Sequence, residues 1–199
     1  EFYKPNVNNH LDYDLFAKVS KQTENQRFLS SEVSGDILEL NEQSPFSFNQ
    51  NLNYYYTLSD QHIFSFGAQH LWQDENPFYN AALEELSFAN LLSLTTPGAG
   101  NGYDVSQDKR IKTNKLDSKL DYYYVINSKS NLNITLGTTL SSQQFNSSIF
   151  ETLNGNEAPI AATSTINDVD YAFSDLYAGL HYKFITGIFT FTQGVAWHS

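Results

Sequence analysis

Polar and apolar residues alternate along most of the chain. From 11 to 19, Leu11, Tyr13, Leu15, Ala17 and Val19 share one side of an extended segment, and Asp12, Asp14, Lys18 and Ser20 share the other, with Phe16 as the exception. From 46 to 58, Phe46, Phe48, Leu52, Tyr54, Tyr56 and Leu58 lie opposite Ser47, Asn49, Asn51, Asn53, Tyr55 and Thr57, interrupted by Gln50. After Ser-Asp-Gln at 59–61, Phe64, Phe66, Ala68, His70 and Trp72 face away from Ser65, Gly67 and Gln69. The unit recurs after position 115: Leu116, Leu120, Tyr122, Tyr124 and Ile126 oppose Asp117, Lys119, Asp121 and Tyr123. A polar turn follows, and Leu132, Ile134, Leu136 and Leu140 then oppose Asn133, Thr135, Gly137, Thr139 and Ser141. A third unit runs through Leu176, Ala178, Leu180, Tyr182 and Phe184, turns at Thr186-Gly187 and returns through Phe189, Phe191, Val195 and Trp197. A repeat of two residues marks strands with unlike faces. The pattern predicts antiparallel hairpins at about 46–73, 116–145 and 169–198, preceded by a strand at 11–19 and a weaker one within 27–40.

The connections expected within hairpins are short, and those expected between them are long, about 73–112 and 146–168. In the longer one Asn76 can cap, Pro77 suits a first helical position, and the apolar spacing of 79–94 predicts a short helix stopped at Thr-Thr-Pro-Gly.

Folding the hairpins at their turns pairs Tyr56 with Phe64, Tyr54 with Phe66, Leu52 with Ala68 and Phe48 with Trp72. In the third unit it pairs Phe184 with Phe189, Tyr182 with Phe191, Ala178 with Val195 and Leu176 with Trp197. Aromatics then gather at the turn end of the apolar face, aliphatics fill its middle, and a tryptophan marks its far end. The eight residues from Phe64 to Trp72, and again from Phe189 to Trp197, span ~26 Å of strand, or ~20 Å along the axis of a tilted barrel. Aromatic rings with a polar edge favour the boundary between hydrocarbon and water. The expected lipid-facing girdle is therefore Phe48, Tyr54, Tyr56, Phe64, Phe66, Trp72, Tyr122, Tyr124, Tyr182, Phe184, Phe189, Phe191 and Trp197. The expected lumen-facing set is Asn49, Asn51, Asn53, Tyr55, Tyr123, Asn133 and Thr135. Alternation alone also suits a soluble sandwich or barrel with the apolar face inside. The placement of aromatics at both ends of that face favours a membrane barrel.

Composition limits the remaining options. Acidic residues outnumber basic ones 22 to 11, giving a net charge of −11. Sparse Lys and Arg argue against nucleic acid as a partner. Without cysteine there is neither a disulfide framework nor a thiolate zinc site. No apolar run approaches a spanning helix, but barrel strands average out as polar, and the mean hydropathy is −0.43 with 15% aromatics. The lack of methionine and of a leader-like start suggests an internal or processed segment. No phosphate loop, nucleophile elbow or metalloprotease motif is present. Glu84-Glu85 point apart on a helix, and the oxygen-rich runs 101–108 and 167–170 lack the ordered spacing of a calcium loop. The histidines are scattered: His70 sits beside Trp72 on the apolar face and His181 on the polar one. No catalytic residue, metal or cofactor is expected.

Residues 46–145 and, more loosely, 169–199 repeat one arrangement: an aromatic strand, a short polar turn, then a strand such as "HIFSFGAQHLW" or "NLNITLGTTL" rising to a long connection. In this the chain resembles the barrel repeats of TonB-dependent outer-membrane receptors, in particular those with a carboxypeptidase-like regulatory extension. The resemblance implies an all-β, antiparallel up-and-down transmembrane barrel of 22 strands, of which this chain would be a segment with long extracellular loops. It further implies uptake of a siderophore, vitamin or glycan at the outer membrane of a Gram-negative bacterium. A TonB-type energy-coupling protein would engage through a plug not contained here, a surface lipoprotein is a possible partner, and the surrounding lipid is the solvent. The chain departs from that pattern in having no plug or energy-coupling box and no terminal aromatic. A small barrel of about eight strands, a structural or assembly barrel, and a soluble β-barrel binding protein are the alternatives.

Overall fold

The computed structural model describes residues 2–29, 36–84, 93–95, 102–160 and 165–199. The described residues form an all-β, antiparallel sheet of twelve strands, more than the three hairpins and two earlier strands expected. In chain order these are β1 (Phe2–Asn6), β2 (Asn9–Val19), β3 (Gln22–Leu29), β4 (Asp36–Gln43), β5 (Phe46–Ser59), β6 (His62–Glu75), β7 (Phe78–Leu83), β8 (Tyr103–Asn127), β9 (Ser130–Leu153), β10 (Asn156–Pro159), β11 (Ile166–Thr186) and β12 (Phe189–His198).

The sheet has two storeys. The lower one is a meander in which β1, β2, β5, β6, β8, β9, β11 and β12 follow one another as ladder neighbours. The upper one forms where β8 and β9 outrun β6 and β11. There β3 pairs β4, β4 pairs β7, β7 pairs the start of β8, and β10 pairs the end of β9. With 25 residues in β8 and 24 in β9, each of these strands is ~80 Å long.

Three expectations are corrected here. The segments 73–112 and 146–168 are not loops throughout: β7 and the first part of β8 occupy much of the former, and β9, β10 and β11 much of the latter. The helix expected from Pro77 is strand over Phe78–Leu83, because β4 on one side and β8 on the other pair its backbone; residues 85–92 lie outside the described set. The third hairpin is shifted by two residues. Thr186 faces Phe189 across a tight Gly187-Ile188 turn, so Phe184 faces Phe191, Tyr182 faces Gln193 and Ala178 faces Trp197. Gly187 has φ 57°, a conformation that side-chain-bearing residues rarely adopt and that two-residue hairpin turns need. The pairs expected in the first hairpin are present as read.

The other turns are built from side chains that mimic backbone. Asn6 Oδ1 accepts from the Asn8 N–H at 3.0 Å, Ser59 Oγ from the Gln61 N–H at 3.3 Å and Asn127 Oδ1 from the Lys129 N–H at 2.9 Å. Asn154 (φ 54°) and Gly155 (φ 79°) make the turn between β9 and β10.

Among the described residues no second layer covers the lower storey. The strand pairs in substantial contact are ladder neighbours. The accessible surface is 13552 Å², against about 9,500 Å² for a close-packed monomer of this mass. Among the described residues only Ala81, Leu83 and Ile160 are buried apolar residues. The first two lie in β7, so the nearest thing to a core sits in the upper storey.

Candidate functional site

Paired residues in an antiparallel ladder share a face, so the register assigns every side chain of the lower storey. One continuous row is Asn9, Tyr56, Phe64, Tyr122, Ile134, Leu180 and Val195. Its face, the outer face below, also carries the rest of the expected girdle: Phe48, Tyr54, Phe66, Trp72, Tyr124, Tyr182, Phe184, Phe189, Phe191 and Trp197. The rings touch. Phe64 stacks on Tyr122 at 4.9 Å, His62 on Tyr124 at 5.0 Å, Phe184 on Phe191 at 5.1 Å, and Phe46 meets Trp72 edge-on at 5.3 Å. Asn49, Asn51, Asn53, Tyr55, Tyr123, Asn133 and Thr135 all lie on the opposite, inner face.

The turns climb in a regular staircase. Measured against that row, the residue closing each turn lies in the row at Asn9, two residues beyond Phe64 at His62, four beyond Ile134 at Ser130 and six beyond Leu180 at Thr186. Each turn joins two strands, so the stagger is one residue per strand. A rise of ~3.3 Å per strand spacing of ~4.8 Å tilts the strands by about 35° to a line normal to the row of turns. On β6 the apolar band runs from the turn at His62 to Trp72, about 27 Å once that tilt is applied. Above it the outer face becomes polar: Asp74, Lys112, Gln144 and Asp170 form one row. There Arg110 forks onto Asp74, with Nε–Oδ1 at 3.1 Å and Nη2–Oδ2 at 2.9 Å, and holds the Asp74 carboxyl below its ordinary range.

Four polar side chains cross the outer face in a hydrogen-bonded chain. The Tyr13 hydroxyl donates to Gln50 Oε1 at 2.8 Å, the Gln50 amide meets His70 Nδ1 at 3.0 Å, and His70 Nε2 meets Asn114 Oδ1 at 2.9 Å. Because Gln50 accepts through oxygen from Tyr13, its nitrogen donates to Nδ1, and the proton of a neutral His70 belongs on Nε2. Sequence spacing placed His70 beside Trp72; it gave no hint of this chain, whose members are far apart in sequence.

The inner face of the lower storey is a lattice of paired charges and hydroxyls. Lys115 pairs with Asp117 at 2.9 Å and Lys119 with Asp121 at 3.0 Å; Thr139 donates to Asp117 at 2.7 Å and Thr135 to Asp121 at 2.6 Å. The Tyr177 ring lies against Gly137, leaving no room for a Cβ there.

The register also reveals a reversal that the alternation did not suggest. Below Leu116, Leu140 and Leu176 the apolar residues of β8, β9 and β11 lie outward, apart from Val125 and Ile185 near the turns. Above them Ile111, Phe145, Val169, Tyr171 and Phe173 lie inward, with Ile111, Phe145 and Val169 in one row. Ile166 and Phe150 stay on the outer side. The signal was in the sequence as a change of parity, from even-numbered apolar positions to odd-numbered ones, obscured by the polar run 112–115. In the upper storey the inner face closes over Ala81 and Leu83, and buried Glu151 accepts the Thr95 N–H at 2.8 Å and its hydroxyl at 2.5 Å. Tyr79, on the same face, has its phenol pushed up to about 12 by burial and then by its hydrogen bond to Glu39.

Among the described residues no group of His, Cys, Asp and Glu is arranged to hold a metal ion. The sequence matches no protein-family model and no curated protein.

Proposed function

We propose that the chain is part of the wall of an outer-membrane β-barrel, and specifically of an active-transport receptor of the TonB-dependent kind. The observation that carries the membrane reading is the staircase combined with the face it organises. A stagger of one residue per strand gives about 35°, the tilt of transmembrane barrels. At that tilt the apolar outer face, aromatic near the turns and ending at Trp72, is about 27 Å tall, close to the ~25 Å apolar band of such barrels. Nothing within the described sheet covers this face: Leu136, midway up it, is 52% exposed. Hydrocarbon is the solvent that suits such a surface. Water suits the inner lattice of carboxylates, amides and hydroxyls.

The edges of the sheet support a larger barrel. Among the described residues β12 pairs only β11, and the upper half of β2 has a partner on one side only. Backbone groups left open in hydrocarbon cost several kcal/mol each, so a membrane wall has to continue until it closes. The transport reading rests on the resemblance set out above and on the upper storey, which carries the inner face well beyond the apolar band. Uptake of a siderophore, vitamin, glycan or similar ligand would draw energy through a plug and a TonB-type partner, with a surface lipoprotein as a further partner.

The test uses the full-length protein in bilayers containing brominated lipid. Quenching of Trp72 and Trp197 fluorescence, together with aggregation when detergent is withdrawn, is the expected outcome. A monodisperse protein in plain buffer with unquenched tryptophans would refute the membrane reading. Ligand uptake that survives loss of the energy-coupling partner would refute the active-transport part alone.

A further inference from the structure

The outer apolar face stops at one level. Counted from the residue that closes each turn, it ends ten residues on in three hairpins: at Trp72 from His62, at Leu140 from Ser130 and at Leu176 from Thr186. Leu116, across the ladder from Leu140, lies at the same level. The next outward residues are Asp74, Asn114, Ser142 and Ser174. On the proposed membrane reading this line is where hydrocarbon gives way to lipid headgroups. Two adjoining hollows straddle it on the outer side of β8, β9 and β11. The lower, of about 510 Å³, is walled by Leu116 and Leu140, the last apolar residues below the line. The upper, of about 390 Å³, is walled by Trp72, Lys112, Gln144 and Asp170. They share a floor of short side chains, Asn114, Ser142 and Ala172, which follow Trp72 in one row.

The polar end of this cleft is short of partners. Among the described residues Lys112 and Asp170 form no ion pair, and Gln144 and the Ser142 hydroxyl form no side-chain hydrogen bond. Asn114 accepts from His70 through its oxygen, which leaves its amide N–H groups for another acceptor. Lys112 and Asp170 stand two strand spacings apart with Gln144 between them, about 10 Å. The cleft therefore offers donors in Lys112 and Asn114, an acceptor in Asp170, and groups that do both in Gln144 and Ser142. Charge narrows the occupant. Arg110 is taken by Asp74, Lys112 is balanced by Asp170, and Asp108 and Asp168 lie further out on the same side. The rim has no surplus of positive charge with which to hold a phosphate. A neutral head rich in hydroxyls suits it, because each hydroxyl both donates and accepts, and an apolar ring face can rest on Trp72.

We infer that this cleft is a seat for one molecule of a neutral glycolipid on the outside of the wall. Its acyl chain runs down over Ser142 between Leu116 and Leu140. Its sugar lies against Trp72 and exchanges hydrogen bonds with Lys112, Gln144 and Asp170. The inference rests on the membrane reading, but not on transport, and it concerns the lipid side of the sheet rather than the lumen.

The experiment uses the full-length protein in phosphatidylcholine nanodiscs containing a small fraction of either glucosyl diacylglycerol or phosphatidylglycerol with brominated chains. The difference in quenching between the parent and Trp72→Phe isolates Trp72. The brominated glycolipid should quench Trp72 saturably, at least about tenfold more tightly than brominated phosphatidylglycerol. Ser142→Leu, which fills the floor, should weaken this about tenfold, and Asp170→Ala about threefold. Lys112→Gln keeps a donor and should cost at most about twofold. Ser118→Ala, outward in mid-band, should change nothing. Equal quenching by the two lipids, a preference for phosphatidylglycerol, or indifference to Ser142→Leu and Asp170→Ala in variants with native hydrogen exchange overturns the inference. If nanodiscs made wholly of brominated phosphatidylcholine leave Trp72 unquenched, it is the membrane reading that falls.

Discussion

β8 and β9 pass through both storeys, and the two ends of these strands teach different things. Near the turns they belong to a single layer whose outer side is greasy and whose inner side is a net of Lys–Asp pairs. Near their other end the polarity is exchanged, and the buried apolar side chains of β7, Ala81 and Leu83, lie on the inner side. Strand propensity does not distinguish the two ends. On the proposed membrane reading the medium each side meets does: hydrocarbon outside and water inside below, water outside above.

That contrast is broken most readily at the upper core. Leu83→Ala should cost about 2–5 kcal/mol of local stability. Hydrogen exchange should show it as faster opening of Phe78–Leu83 and the start of β8, with the ladder below Leu116 unchanged. Equal loosening of both storeys would mean that they are one cooperative unit.

A matched pair of substitutions sharpens the comparison next. Leu136 and Leu38 are 52% and 51% exposed, one in mid-band below and one in the upper storey. Leu136→Arg should destabilise the full-length protein in bilayers by about 2–4 kcal/mol, and Leu38→Arg by no more than about 0.5 kcal/mol. Similar small losses for both would show that the two residues meet the same solvent.

Two glycines of the lower inner face form a smaller contrast. A Cβ on Gly137 runs into the Tyr177 ring, whereas one on Gly67 meets only Asn53 Oδ1 at 3.5 Å. Gly137→Ala should cost about 1–3 kcal/mol, Gly67→Ala much less, and Tyr177→Ala should relieve most of the former. Denaturant unfolding in vesicles measures all three.

The smallest expected effect is alkaline. Tyr79 ionises near 10 when unfolded and at about 12 in place. Its contribution to the upper storey is therefore complete below pH 10 and lost as pH rises through 12. Phenolate absorbance and upper-storey hydrogen exchange should change together over that window, and Tyr79→Phe should abolish the exchange component while leaving the lower ladder alone.

How much of this was legible depended on the storey. In the lower one each strand has one apolar side, so parity assigned the faces, and the Asp60-Gln61 turn set the first hairpin. The third hairpin was misread by two residues because "FITGIF" allows a wider loop as well as a tight one. Both choices keep every side chain on its proper face, and only the positive φ of Gly187 decides between them. In the upper storey the run 103–115 has only Tyr103, Val105 and Ile111 on its apolar side, separated by the polar stretches 106–110 and 112–115, which leaves alternation little to report. The apolar spacing of 79–94 fits a helix, and the pairing of β4 and β8 overrides it across β7. The hydrogen-bonded chain through His70 and the inward aromatics became visible only once the strands were aligned.

The staircase of turns makes the sheet a ramp. Someone walking around it at constant height would step onto a neighbouring rung displaced by one residue at every strand. A one-residue irregularity already sits beside the Asn6–Asn9, Ser59–His62 and Asn127–Ser130 closures, so the short bends can swallow an added residue locally, whereas a slip of one residue in the pairing of a whole ribbon would present it inside out.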